Sequence, residues 1–182
     1  EATGLIISPE GTELKDKAFL KVPFALDAAV LVVNIPDVYE IYLSAQTIQA
    51  IFNGEITNWN DPLVLEDNEG LDMPDQKIVL PKEALPAAKS SLSSWIERLS
   101  GSPLDLSNVA DAKISESELA MPTKPGSISI ASYSAALLNA SVFASILTEA
   151  GNIESSVLAS TETIYSASTQ IVAETVGEGI AM

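Results

Sequence analysis

The segment Leu43–Asp61 constrains the fold of this chain most, because it contains a complete helix with its start, its end and a large aromatic residue after it. Ser44 is placed to accept a hydrogen bond from a backbone N–H one turn into the helix. Gly54 stands where a left-handed residue commonly ends a helix, and Trp59 follows among turn-forming residues. Apolar residues recur at i, i+3 and i+4, which predicts one buried face. They are Ile48, Ile51 and Phe52.

Continuous apolar runs outside this segment indicate strands that are buried on both faces. Ala28–Val33 is such a run and ends in a turn at Asn34–Pro36, which is typical of a sheet covered by helices. A second long helix is predicted over Ala87–Ser100, stopped by Gly101. Strands therefore alternate with helices, and the predicted fold class is α/β with a mixed central sheet flanked by helices.

Shorter elements are predicted by the same criteria. Further strands are expected at Gly4–Ile7, Lys77–Leu80, Ser127–Ala131, Val142–Leu147 and Ile153–Ser156. Short or weaker helices are expected at Thr12–Ala18, Glu116–Pro122, Tyr133–Asn139 and Thr161–Val176. Glu66–Asp75 is acidic and is predicted as a solvated loop, and Ser102–Ala112 is predicted as a polar loop.

The residue types that are missing exclude several classes of function. The chain of 182 residues contains no cysteine and no histidine. Disulfides and thiolate metal sites are therefore excluded, as are hydrolases that need a histidine base in its ordinary role. No coherent acid–base pair is visible in the sequence. We expect no catalytic residue, no cofactor and no enzyme activity.

Charge excludes a further class of partner. Twenty-five acidic residues against nine basic ones give a net charge of −16, which repels nucleic acid and anionic membrane surfaces. No apolar run approaches the ~20 residues of a membrane span. The acidic residues around Gly70 lack the spacing of a calcium-binding loop, so no metal site is predicted there.

Three motifs resemble one protein family, the phosphate-binding proteins of ABC transporters, which are PstS-like class II periplasmic binding proteins. Leu43–Asp61 is similar to the family's helix-and-tryptophan motif at nearly every fixed position. Val22–Pro36 resembles its crossover strand, and Thr123–Ile130 resembles its later strand. The motifs occur in the family's order, and the resemblance implies a lobe of the periplasmic-binding-protein type II fold.

The resemblance covers mainly the second lobe of the two-lobed family. The family's glycine-rich opening loop and its return to the first lobe have no visible counterpart here. We therefore expect residues 1–182 to form a single PstS-like domain that is an excised or reduced piece. Within it, 1–24 would be a partial first-lobe segment, 25–131 the second-lobe core and 132–182 a return segment.

The resemblance also implies an oxyanion site at the start of the second long helix, where backbone N–H groups and the helix dipole hold a tetrahedral anion. Lys82 falls where the family has an arginine, and Leu85 to Ala88 replace its glycines and hydroxyl residues. The candidate anion site comprises the backbone of Ala87, Ala88 and Lys89, with Lys82 or Lys89 as counter-charge and Ser8 where an aspartate is expected. A lysine supplies charge without the planar fork of arginine, so phosphate binding is expected to be weak or lost.

Two functions remain open from the sequence. The first is an extracytoplasmic solute-binding domain, whose partners would be phosphate or another small oxyanion and the permease of an ABC importer. The alternative is a degenerate lobe that serves protein–protein interaction or structure in a larger surface protein. The resemblance places either one outside the cytoplasm, in the periplasm, secreted or attached to the cell surface.

Overall fold

In a computed structural model of the chain, the structure describes residues 27–112, 122–138 and 142–167. The strands of this part are β1 Ala29–Asn34, β2 Ile41–Ser44, β3 Glu83–Ala84, β4 Ala110–Asp111, β5 Ser127–Ser132, β6 Val142–Leu147 and β7 Ser156–Val157. The α-helices are α1 Ala45–Phe52, α2 Pro62–Asp67, α3 Pro86–Ser100 and α4 Tyr133–Leu138. A 3₁₀ turn covers Ile153–Ser155, and residues 161–167 are helical.

The central sheet is mixed, as predicted. Its strand order is β2-β6-β1-β5, and β7 also pairs with β6. β1 is antiparallel to β5 and β6, whereas β2 is parallel to β6. β6 comes from the part of the chain that the sequence assigns to the return segment, and it lies in the middle of the same sheet. β3 and β4 form a separate parallel pair.

Both faces of the sheet are covered, which explains the continuous apolar run in β1. Leu31 and Val33 belong to the large core that contains α1 and α3. Val30 and Val32 face the opposite side and pack with Ala136 of α4. Because alternate side chains of a strand point to opposite faces, a strand between two apolar layers needs an apolar residue at every position.

The helix at the start of the family motif forms as the sequence predicts. The Ser44 hydroxyl accepts from the Thr47 N–H at 3.2 Å and caps α1. Gly54 has φ of 78° directly after the C-cap residue Asn53, so a glycine is favoured there. Trp59 is fully buried, and its Nε1 donates to the carbonyl of Gly126 at 2.9 Å.

The second long helix is confirmed, with one residue added at its start. α3 begins at Pro86 and ends at Ser100, and its C-cap residue Gly101 has φ of 80°. Its buried stripe packs on the core beneath the sheet. The stripe consists of Ala88, Leu92 and Ile96, with Trp95 and Leu99 partly buried beside them.

Two predicted loops contain regular structure instead. Pro62–Asp67 is helical because Asp61 caps it through the Leu63 N–H. The predicted solvated loop over Glu66–Asp75 is therefore wrong at its start, where Asp67 and Asn68 are buried. The predicted polar loop Ser102–Ala112 includes β4, with Val109 and Leu104 in the core.

Two predicted strands are also different in the structure. Ile153–Ser156 is mostly a 3₁₀ turn, because the Asn152 side chain accepts from the Glu154 N–H and turns the chain. Lys77–Leu80 forms only isolated bridges, one of them between Val79 and Ser127. The predictions for Gly4–Ile7, Thr12–Ala18 and most of Glu116–Pro122 fall outside the described residues, as does the end of the helix predicted for Thr161–Val176.

Candidate oxyanion site

The candidate site is the first turn of α3, which follows β3 through a single residue. That residue, Leu85, is the N-cap, and its side chain makes no capping hydrogen bond. Pro86 occupies the first helical position, where a missing N–H costs the helix little. The first turn is therefore built without any of the side chains that normally satisfy helix N-termini.

The backbone N–H groups of Ala87 and Ala88 have no acceptor within the described part of the chain. The third predicted donor differs, because the Lys89 N–H donates to the Leu85 carbonyl at 3.0 Å within the helix. The Lys89 N–H is therefore already hydrogen-bonded within the helix, and its contribution to an anion site stays a prediction. Two N–H donors remain, at the positive end of a fifteen-residue helix.

The Lys89 side chain is also engaged. Its Nζ donates to the Val109 carbonyl and forms an ion pair with Asp111 at 2.9 Å. The lysine side chain is 17% exposed, whereas that of Asp111 is 67% exposed. This ion pair ties α3 to β4, so the charge of Lys89 is already partly compensated by a carboxylate.

Lys82 is the remaining candidate counter-charge. It lies immediately before β3, is exposed, and has no ion-pair partner among the described residues. Its own carbonyl accepts from the Ala110 N–H at 2.9 Å, which fixes its backbone beside β4. The two lysines therefore differ: the Lys89 side chain bonds to Val109 and Asp111, whereas Lys82 is exposed to solvent. Ser8, the fifth predicted site residue, lies outside the described residues.

This turn offers few of the groups that hold an oxyanion. Two N–H donors and a helix dipole attract a small oxyanion. No hydroxyl group and no glycine stands between Leu85 and Lys89, so neither extra donors nor close backbone approach is supplied. The turn contains no group that could act as a nucleophile or as a general base.

Two groups that contact Lys89 cannot be predicted from the sequence. Asp111 and the Val109 carbonyl are the partners of Lys89, although they lie about twenty residues later in the chain. No local pattern links a helix residue to a strand formed that far away. The pairing of β3 with β4 brings them together, and that pairing is only two residues long.

A second polar cluster is buried between β2, α1 and α2. The Asp67 carboxylate accepts from the Ser44 N–H at 2.7 Å, from the Thr47 hydroxyl at 2.6 Å and from the Gly151 N–H at 3.2 Å. The Asn68 side chain bonds to both backbone groups of Tyr42. Every polar group of this cluster that is named here has a partner, so we assign it a role in the fold rather than in binding a ligand.

Within residues 27–112, 122–138 and 142–167, no group of three acidic residues is arranged to hold a metal ion. In the same ranges, no helix has both the length and the apolar character required to cross a bilayer.

Curated proteins with similar sequences match about two fifths of the chain, and a family model matches most of it. The phosphate-binding protein PstS of Pasteurella multocida is 33% identical over 69 residues, which are 37% of this chain and 20% of that protein. PstS of Xylella fastidiosa strain 9a5c is 32% identical over 71 residues, covering 38% of this chain and 20% of that protein. The matched regions thus span about one fifth of these curated relatives.

A solved structure shows a partial similarity. It is an ABC-type phosphate transport receptor from Vibrio cholerae, with 17% identity and a TM-score of 0.44 over 69% of this chain and 49% of that one. The most extensive match is to a family model described as a PBP superfamily domain, which covers residues 6–179. Because this model spans nearly the whole sequence, the chain belongs to the PBP superfamily domain family.

Proposed function

We propose that this chain is a non-catalytic, extracytoplasmic solute-binding domain in which phosphate binding has been reduced to a weak site at the start of α3. The observation that carries the proposal is the pair of N–H groups of Ala87 and Ala88, which lack an acceptor among the described residues at the positive end of a long helix. Similarity to PstS proteins supports phosphate as the first oxyanion to test.

The proposed site uses Lys82 as its counter-charge. Lys89 is compensated by Asp111, so the positive charge available to a bound anion comes from Lys82 and from the helix dipole. A lone lysine and two N–H donors supply fewer contacts than a bidentate arginine with hydroxyl groups. We therefore expect a dissociation constant in the millimolar range, corresponding to roughly 4 kcal/mol of binding free energy.

The domain organisation predicted from the sequence is compatible with a solute-binding domain of this kind. Residues 25–131 would be the ligand-binding lobe, 1–24 a piece of a first lobe, and 132–182 the return segment. In this arrangement a second wall of the site would come from a separate part of the protein, with Ser8 as its candidate residue. The physiological partner would be the permease of an ABC importer.

Thermal unfolding in the presence of phosphate tests this proposal. A ligand that binds the folded state raises its stability by RT ln(1 + [L]/Kd), so about ten times Kd adds roughly 1.4 kcal/mol. We expect stabilisation by millimolar phosphate in excess of an ionic-strength control with chloride. Lys82→Ala should abolish it, whereas Lys124→Ala, which removes another exposed lysine, should retain it. An absence of response at millimolar phosphate rejects the proposed site.

One alternative is favoured by a specific observation, which is that the N-terminus of α3 has no side-chain capping hydrogen bond. If phosphate does not bind, we propose instead that the domain serves protein–protein interaction or structure in a larger surface protein. Tyr39, which is 84% exposed and precedes the edge strand β2, is then the first residue to test. A partner protein that binds the wild-type chain in extracts of cell-surface proteins should no longer bind Tyr39→Ser.

A further inference from the structure

The outer edge of β2 is closed by side chains rather than by another strand. β2 pairs with β6 along one side through residues Ile41 to Ser44. In a strand, the N–H and C=O groups of alternate residues point to opposite sides, so the groups not used by β6 would face a neighbouring strand. In β2 those are the groups of Tyr42 and the N–H of Ser44.

Asn68 satisfies Tyr42 in the way that a paired strand would. Its Oδ1 accepts from the Tyr42 N–H at 2.8 Å, and its Nδ2 donates to the Tyr42 carbonyl at 2.7 Å. The amide is fixed by a second donation from Nδ2 to the Val64 carbonyl at 2.8 Å. Asn68 is 1% exposed, so solvent does not compete with these bonds.

Asp67 occupies the next outward-facing backbone group of β2, which is the N–H of Ser44. Its Oδ2 accepts from the Ser44 N–H at 2.7 Å. The same carboxylate is held by the Thr47 hydroxyl and by the Gly151 N–H. Asn68 follows α2 directly and Asp67 is its last residue, so the end of this helix supplies all of the closing groups.

We propose that Asn68 and Asp67 form a side-chain closure that prevents β2 from pairing with β2 of a second copy of this chain. An edge strand with unpaired backbone groups is a template for another strand, and Ile41-Tyr42-Leu43 has the β-branched, aromatic and apolar residues that favour pairing. The role is independent of the phosphate site.

A second copy is the occupant that fits this edge. Two antiparallel β2 strands centred on Tyr42 would form a hydrogen-bonded pair, in which each Tyr42 donates its N–H and accepts at its carbonyl. These are the two groups that Asn68 now occupies. The arrangement is two-fold symmetric, so both copies would offer the same surface.

The test combines hydrogen exchange with sedimentation equilibrium on the full chain carrying Asn68→Ala. We expect the Tyr42 amide to exchange about tenfold faster or more at low protein concentration, because its acceptor is lost. At high concentration the variant should form dimers in which this protection returns. Asn108→Ala, in an exposed turn, is the matched control and should stay monomeric.

Two results would overturn the proposal. One is a folded Asn68→Ala protein that stays monomeric at high concentration, and the other is a dimer in which Tyr42 remains unprotected. If Asn68→Ala fails to fold, as judged by tryptophan fluorescence, to which Trp59 and Trp95 both contribute, the near-isosteric Asn68→Leu replaces it. The wild-type protein gives an independent check, since Tyr42 exchange as fast as that of exposed turns shows that the edge is open.

Discussion

The indole of Trp59 bonds to the carbonyl of Gly126, 67 residues later in the chain. The bond joins two of the segments that carry the family resemblance, Leu43–Asp61 and Thr123–Ile130. Gly126 also donates its own N–H to the Asn34 carbonyl at 2.6 Å, in the third segment. The three motifs are therefore in contact around one glycine, which gives a physical reason for their occurrence together.

Gly126 should tolerate no side chain. Its φ is 82°, and a Cβ atom there would lie 2.4 Å from the Lys77 carbonyl oxygen. We expect Gly126→Ala to lower the free energy of unfolding by about 3 kcal/mol or more, from backbone strain together with the clash. Gly54→Ala is the control, because Gly54 has φ of 78° with nothing within 4 Å of the added atom. It should cost only ~1 kcal/mol in urea unfolding, and equal losses would contradict the argument.

Asp67→Asn should destabilise the protein although the two side chains have nearly the same shape. The carboxylate accepts from three groups, and an amide would turn a donor towards at least one of them. We expect a loss of about 2–4 kcal/mol, because a buried donor is left without an acceptor. Glu66→Gln, at the exposed neighbouring position, should change the stability by less than ~0.5 kcal/mol. Urea titration of both variants measures the difference.

Tyr42 should ionise at a pH above its ordinary value. Its hydroxyl donates to the Glu40 carboxylate, and that bond, with smaller effects of burial and the negative charge, raises the pKa of Tyr42 above 10.0. A raised pKa in the folded state means that the contribution to stability is complete below pH 10.0 and is lost as the pH rises through the raised value.

The titration is followed by tyrosinate absorbance, with Tyr42→Phe identifying the signal. Glu40→Gln should move the Tyr42 midpoint down towards 10.0, because the charged acceptor is removed. A midpoint that does not respond to Glu40→Gln would show that this hydrogen bond is absent in solution.

Lys89→Ala and Lys82→Ala should have opposite effects on stability and on binding. Lys89→Ala removes the partner of Asp111 and of the Val109 carbonyl, so we expect a loss of about 1–3 kcal/mol in unfolding. Its effect on the phosphate-induced shift should be less than about twofold, since that charge is compensated in the fold. Lys82→Ala should leave stability within ~0.5 kcal/mol and abolish the shift. If Lys89→Ala abolished the phosphate-induced shift and Lys82→Ala did not, Lys89 would be the counter-charge of the site.

Local sequence patterns predicted the elements whose determinants lie within one helix or strand. α1 and α3 were placed correctly because periodicity, Ser44 and the stop glycines are all local signals. β1 is predicted correctly because burial on both faces produces an unbroken apolar run. β5 is predicted correctly from the alternation of Ile128 and Ile130 with serines.

What could not be predicted depends on contacts between distant residues. Asp67 and Asn68 lie in an acidic stretch that is typical of a solvated loop, yet their partners are Ser44, Thr47, Tyr42 and Gly151. Burial of these polar groups is stable only because all the partners are present together. In the candidate site, the engagement of Lys89 likewise depends on Asp111, which β4 supplies.

The proposed function depends on a weak oxyanion site at the first turn of α3. Amide chemical shifts of the full chain, recorded by NMR during a phosphate titration, test it most directly. We expect the Ala87 and Ala88 amides to shift and to saturate in the millimolar range, with no such shifts in Lys82→Ala. Unchanged Ala87 and Ala88 amides in the wild-type protein, or saturating shifts only elsewhere in the chain, would contradict the claim.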